Sequence, residues 1–535
     1  MKAPVKRKKT VKKKVVCKRT RIKGTKRYRK VCKPVKKKKK VVRRPATSVA
    51  APVSGAPTPT PSAAAPPVTT PPSQDPIPDP PVDPPPASGL PVYGGTFGVR
   101  EAQRLLWRAG FGPRPGDAEA LAQQGLVAAV RSLTRPSQSA NLVGAPVALP
   151  DGVPLAPTDA WGHDHLWWLD RMVRSDQPLV ERMTLILHDW FANSRADVDA
   201  GLMLAQNEVL RSHALGSFTD LVRDLTVDPA MLVFLSGISN RRNAVNENYG
   251  RELMELFTLG ADRGAYTETD VRELARALSG WTADWQDPDG YVNFRFVSSR
   301  ADIGTKSLWA GKPYARSGAF DYRDVTSLVL DNPFHRSFFV LKLWSYFVPS
   351  PPSAATQAAL EELYDSSGRS IGVLVEAILL HPDVYLGAPL VKPPAVYNAG
   401  LLRATGQTIT SDAWVWLGSL SGQQLFYPPN VSGWNDRAWL DTSRLYGRWY
   451  MANQVLLAAQ RTAAHYSGST ETGTQALAAA IAHVGQPALT PETTAVLQAL
   501  ADQPAPVGTD MASYRALRQN ALRILVATSP DFEVC

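Results

Sequence analysis

Asn246-Glu-Asn-Tyr-Gly-Arg-Glu-Leu-Met-Glu-Leu-Phe-Thr-Leu-Gly260 is the stretch on which the fold reading turns. Wound at about 100° per residue, it separates into two faces. Tyr249, Leu253, Leu256 and Phe257 fall on one, and Glu247, Asn248, Arg251, Glu252 and Glu255 on the other. Glu247–Arg251 and Arg251–Glu255 stand four residues apart, the spacing at which opposite charges support a helix. A helix with one apolar flank must bury that flank, so the segment predicts a helical body around a core. Three carboxylates around one guanidinium also suggest chemistry. They can hold a cation, or leave one carboxyl with a raised pKa for acid–base work. A solvated face or a structural ion network uses the same residues. Glu247, Arg251, Glu252 and Glu255 are thus candidate catalytic residues, with Asn248 as a candidate ligand-binding neighbour.

The same texture extends to both sides. Helices are expected at Arg100–Ala109 and Asp117–Gln124, each followed by glycine. Thr158 suits the cap of a helix through Val173, and Pro178 the first turn of Leu179–Ala192. Ser217 can cap Phe218–Val227, and Thr267 with Asp270 forms a capping box before Val271–Leu278. Val325–Leu330, Ser337–Phe347, Thr356–Tyr364, Ile371–Leu380, Ala395–Ala404, Leu445–His465 and Ala512–Val526 follow the helical period. Only Trp281–Ser299 reads as β, around the turn Asp287-Pro-Asp-Gly290. The expected fold is mainly α: an irregular multi-helix bundle of up to two lobes, with one small β-hairpin insertion and a disordered N-terminal arm.

Charge sets the domain limits. The 535-residue chain has a net charge of +13, but residues 1–44 hold 24 Lys and Arg and no acid. The rest carries 36 basic and 47 acidic residues. The chain is therefore a cationic arm (1–44), expected to be disordered, on a mildly acidic body. An anionic partner, wall polymer or nucleic acid, is expected on the arm and not on the body. Residues 45–92 contain 17 of the 45 prolines. This linker favours polyproline II and spans on the order of 100 Å or more. The helical body is assigned to 93–465, and a helical C-terminal extension packed on it to 466–535.

Within the arm, Gly24-Thr25 lies midway between Cys17 and Cys32. A two-residue turn there would set the cysteines opposite each other on a hairpin, where a disulfide is geometrically plausible in an oxidising compartment. Two unpaired thiols are the alternative. No apolar run is long enough for a membrane span, and residues 1–44 lack the apolar stretch of a secretory signal.

Several chemistries lack their motifs. There is no G-x-S-x-G elbow, P-loop, G-x-G-x-x-G turn or H-E-x-x-H, no cysteine cluster for zinc, and no cofactor is implied. Two further candidates remain. His188-Asp189 offers a base beside an acid, although neighbouring helical residues point apart and a core histidine with one satisfied hydrogen bond explains it better. His163-Asp-His165 makes a joint metal site only off a helix, so no metal is assigned. Phe426-Tyr-Pro-Pro-Asn-Val-Ser-Gly-Trp434 and Trp439 form a rigid aromatic loop. Tyr427, Trp434 and Trp439 offer a stacking platform for a sugar or another flat ligand, or pack the loop onto the body. Lys342-Leu-Trp344 reads as a core face with one snorkelling lysine.

Taken in order, Arg104-Leu-Leu-Trp-Arg108 with Phe111-Gly-Pro113, Asn246–Gly260, Ala275-Arg-Ala-Leu-Ser-Gly-Trp281, Lys342-Leu-Trp344 and Pro428-Pro-Asn-Val-Ser-Gly-Trp434 resemble the bacterial family catalogued as domain of unknown function 1800. The resemblance runs from about Gly98 to Leu457 and leaves out the arm. It implies a helical fold, no particular reaction, frequent export, and a protein partner from an adjacent uncharacterised family. Many members have a histidine where Trp190 stands, and many have one where Phe257 stands, so a histidine-based site is weakened here. Three functions are open: a cell-envelope, hydrolase-like enzyme using carboxylates; a non-catalytic binding or assembly module held to anionic wall polymers by the arm; and nucleic-acid binding through the arm. The envelope is favoured over the cytoplasm.

Overall fold

The computed structural model describes residues 15–21, 28–34, 89–137, 139–147, 155–158, 160–287 and 290–535. Gly24-Thr25, the proline-rich stretch up to residue 88, and Pro288-Asp289 lie outside them. The chain divides into Met1–Pro81 and Val82–Cys535. In the first unit, strands Val15–Arg21 and Tyr28–Pro34 pair antiparallel, and their register sets Cys17 opposite Cys32.

The second unit is mainly helical, with 21 α-helices among its described residues. Local signals explain many of the boundaries. The hydroxyl of Ser217 accepts the Asp220 N–H at the start of Phe218–Thr226. Thr267 and Asp270 close a reciprocal capping box on Glu268–Ala277, and Pro178 opens Pro178–Trp190. The expected cap at Thr158 is not used. That helix is His163–Arg174, entered through Gly162 at φ +85°. Any Cβ at Gly162 would lie 2.7 Å from Val415 Cγ2, so only glycine makes this left-handed entry.

Two antiparallel strand pairs decorate the helices. Trp281–Gln286 pairs with Gly290–Phe296, with a register shift between Thr282 and Asp284. Lys306–Leu308 pairs with Arg316–Gly318, a pair unforeseen in the sequence, since three residues are too short to show alternation.

Apolar side chains gather in two clusters. Leu105, Met183, Leu221, Phe257, Leu274, Phe339 and Ile378 belong to the first. Trp168, Tyr397, Leu401, Leu417, Met451, Leu477 and Leu522 belong to the second. Pro178–Trp190 serves both, giving Met183, Ile186, Leu187 and Trp190 to one and Leu185 to the other. Each such side chain fully buried contributes about 1.5–3 kcal/mol.

The segment 246–260 is helical but not uniformly wound. Asn248–Glu252 is α-helix and Leu253–Thr258 is π-helix. The Leu259 N–H reaches back five residues to the Met254 carbonyl at 2.9 Å. The predicted faces survive: Tyr249, Leu253 and Phe257 are buried, while Asn248 is exposed and Glu247, Arg251, Glu252 and Glu255 are partly so. Leu256 is only partly buried, because the wider turn rotates it away from the α-helical position.

Candidate functional site: a helix end and the loop clamped beside it

The acidic face forms an ion-pair network. Arg251 donates from both terminal nitrogens to the Glu268 carboxylate, at 2.6 and 2.7 Å, and lies 3.4 Å from Glu247. Arg272 reaches the other Glu247 oxygen at 3.2 Å. The Glu247 and Arg251 side chains are about one-third exposed and Glu268 is 74% exposed, so solvent screens these pairs and they add little to stability. Glu268 is held below the usual carboxylate range by Arg251. Partial burial, then the charge of Glu255, push the Glu252 carboxyl upward against the pull of Arg251. Partial burial, then Glu255, raise Tyr266 to about 12.

His188 and Asp189 part company on their helix. His188 is fully buried, with its ring 5.2 Å from Trp168 and 5.6 Å from both Phe426 and Trp434. Neither ring nitrogen has a hydrogen-bond partner among the described residues, and burial lowers its pKa to about 3. It is a neutral core histidine. The Asp189 carboxylate faces the other way. Its Oδ1 accepts the Trp434 backbone N–H at 2.8 Å and its Oδ2 accepts the Tyr346 hydroxyl at 2.9 Å. Burial pushes the Asp189 carboxyl up, opposed by those two donors and by Lys342. With both oxygens engaged, the carboxylate holds the 426–434 loop.

That loop is packing. Trp434 is 7% exposed and its ring lies tilted against that of His188, the packing alternative for this position. Tyr427 and Trp439 are partly buried against the second core. His163 and His165 both stand on the helix His163–Arg174 and take separate partners. His163 Nδ1 donates to the Ala156 carbonyl at 3.0 Å, and His165 Nδ1 accepts the Leu425 N–H at 3.0 Å. Among the described residues no group of three His, Cys, Asp or Glu side chains could hold a metal ion.

The π-helix ends in three successive carbonyls, each taken by a side chain from another element. Lys342 Nζ donates to Leu256 O at 3.0 Å, Trp190 Nε1 to Phe257 O at 3.1 Å, and His335 Nδ1 to Thr258 O at 2.9 Å. The last carbonyls of a helix lack intrahelical donors, and here they become a hub. The Lys342 ammonium also sits 4.8 Å from the Trp190 ring centroid. Burial lowers the Lys342 pKa to about 8, offset in part by Asp189. This lysine does not snorkel; it caps the helix end. Lys342 and Tyr346 thus complete an arrangement with Asp189 that the sequence reading missed. The signal was their spacing of four on His335–Ser345 and its continuation.

The other quoted motifs have packing roles as well. Arg108 donates to the Phe347 and Ala388 carbonyls at 2.7 and 2.8 Å, and Arg104 to the Gly387 carbonyl at 2.7 Å. Trp281 packs edge-on against Phe296 and Tyr322.

The model of the DUF1800 family, proteins of unknown function, matches residues 104–534. The chain belongs to this family. No curated protein and no solved structure matches it. In this DUF1800 chain the indole–carbonyl bond joins two buried aromatic residues, Trp190 and Phe257, 1% and 0% exposed.

Proposed function

We infer that this DUF1800 protein is a non-catalytic binding module held to an anionic polymer by residues 1–44. The observation that carries the reading is the Trp190–Phe257 contact. At both positions where the resemblance leads one to expect a histidine a buried aromatic residue stands, and the Trp190 indole donates to the Phe257 backbone carbonyl at 3.1 Å. Around it the polar groups are engaged in holding the fold. Asp189 secures the 426–434 loop, Lys342 caps a carbonyl, and Glu247 is paired with Arg251 and Arg272. This arrangement favours a rigid scaffold over acid–base work.

The arm supplies the attraction. Its 24 basic side chains, with no acid among them, make a field that any polyanion would feel. Tyr28 is its only aromatic, so base stacking adds little, and a phosphate-bearing wall polymer suits it better than a single-stranded nucleic acid.

The test compares the full chain with a chain lacking residues 1–44 on beads carrying polyglycerol phosphate. Retention should be lost on deletion and should fall steeply with salt for the full chain. Retention of the shortened chain at the full-chain level overturns the arm assignment. An activity screen on cell-wall substrates that is abolished by Glu252→Gln with Glu255→Gln overturns the non-catalytic reading.

A further inference from the structure

The body carries a net negative charge, yet two arginines without carboxylate partners among the described residues, Arg241 and Arg300, line one cavity beside the hairpin of Trp281–Gln286 and Gly290–Phe296. The backbone dictates the meeting. Arg241 and Ala244 exchange both backbone hydrogen bonds, at 3.3 and 2.8 Å, which turns the chain sharply through Arg242 and Asn243. The Arg242 N–H then donates to the Arg300 carbonyl at 2.8 Å, tying this turn to the short helix Ser298–Arg300. Arg300 is held in place by a 3.1 Å bond from its guanidinium to the Ile238 carbonyl, while its Nε is buried without a partner.

Beside them is a cavity of about 580 Å³, lined by Ser239, Arg241, Asn246, Ala283, Tyr291 and Arg300 among others. Asn246 Oδ1 accepts the Asn248 N–H at 3.0 Å, which leaves its Nδ2 donors unused among the described residues. The nearby hairpin acid, Asp284, is engaged by Arg295 at 2.9 Å and does not neutralise the arginines. Tyr291 brings an aromatic ring to the same wall. Trp285, 67% exposed, stands edge-on to it with centroids 5.0 Å apart. Guanidinium groups match the oxygens of phosphate and sulfate, and exposed aromatic rings give a flat group something to lie on.

The geometry points to a binding site, in the body and separate from residues 1–44, for a phosphate or sulfate ester carried on a ring. Arg241 and Arg300 take the anion, Asn246 adds a donor, and Tyr291 with Trp285 contacts the ring. The site stands whether or not the arm binds polymers.

The full chain tests this, because the arm is common to every variant. Calorimetric titration uses three probes at one ionic strength: inorganic phosphate, glucose 1-phosphate and adenosine 5′-monophosphate. One saturable site is expected for at least one of the two ring esters, with inorganic phosphate as a weaker competitor. Arg241→Gln, at an exposed position, should weaken that site at least tenfold without changing the melting temperature, and Arg300→Gln should weaken it as much while lowering the melting temperature through loss of the bond to the Ile238 carbonyl. Tyr291→Ala should reduce the preference for the ester over inorganic phosphate. Which ester binds tells a sugar-borne from a base-borne anion. Binding by Arg241→Gln and Arg300→Gln equal to wild type, or no saturable site for either ester, overturns the proposal.

Discussion

Asp189 Oδ1 accepts the Trp434 backbone N–H at 2.8 Å across 245 residues of chain, and the residue preceding Trp434 is a glycine for a steric reason. A Cβ on Gly433 would lie 2.3 Å from Asp189 Oδ1 and 2.6 Å from the Asp189 carbonyl, at φ +86°. Gly433→Ala therefore breaks the clamp twice. It strains a left-handed residue, about 1–2 kcal/mol, and pushes away a charge-assisted hydrogen bond, about 1.5–3 kcal/mol. The expected loss is about 3 kcal/mol in chemical denaturation, with little change in the denaturant slope. Asp189→Asn keeps an acceptor for Trp434 and should lose less. Equal stability of Gly433→Ala and wild type would show that the loop is not held here.

What the sequence displayed of this arrangement is instructive. The two faces of Asn246–Gly260 were legible because burial follows side-chain type. The π-turn was not, because it depends on Lys342, Trp190 and His335 arriving from elsewhere to take three carbonyls. Capped helices such as Phe218–Thr226 were legible, since Ser217 announces them. Ala200–Ser212 and Gly473–His483 were missed although Asp199 and Thr472 cap them. Gly473–His483 is an alanine-rich run with a faint apolar period, and in both helices only packing distinguishes core from surface. Trp434 looked like a platform because exposure cannot be read from residue type alone. His188 and Asp189 were correctly seen to diverge, by helical angle.

The buried histidines make the body acid-sensitive. His165, His188 and His335 are each held at about 3 by burial, against about 6.5 when unfolded. A folded pKa below the unfolded one means the unfolded state binds more protons between those values. Stability therefore falls as pH drops from 6.5 toward 3, by up to about 1.4 kcal/mol per pH unit for each histidine. His188 has no hydrogen bond to lose, so His188→Met should lower the slope of unfolding free energy against pH by about one proton. Urea denaturation across that range reads the slope. An unchanged slope would mean that His188 is already charged or solvated.

Glu252 makes the opposite demand. Its carboxyl is raised by partial burial and by Glu255, so the folded state takes up its proton more readily than the unfolded state. Ionising it opposes folding as pH climbs past its unfolded value. Glu252→Gln should then be stabilising at neutral pH by a few tenths of a kcal/mol, the scale of like charges spaced along a helix. The gain should vanish in acid, where wild-type Glu252 is itself neutral. Thermal unfolding at the two pH values measures this. A loss of stability at neutral pH would assign the ionised carboxylate a structural partner.

The three side chains on the π-helix end should act as a unit. Trp190→Phe removes the donor to Phe257 O and leaves a buried carbonyl unpaired, at about 1–3 kcal/mol. Lys342→Met does the same at Leu256 O, less severely because this lysine is only partly buried. The Lys342 ammonium also lies over the Trp190 ring, so each substitution disturbs the other's partner. Residues in contact couple by about 0.5–3 kcal/mol in double-mutant cycles. The double variant should therefore lose less stability than the two single losses added together, because the cation–ring contact is removed only once. A control pair, Trp190→Phe with Arg316→Gln, should add without coupling, since Arg316 is exposed and its side chain, among the described residues, donates to the neighbouring Tyr314 and Ala315 carbonyls. Additivity in the first cycle would mean that the carbonyls are satisfied independently, and that the π-turn does not depend on their joint capture.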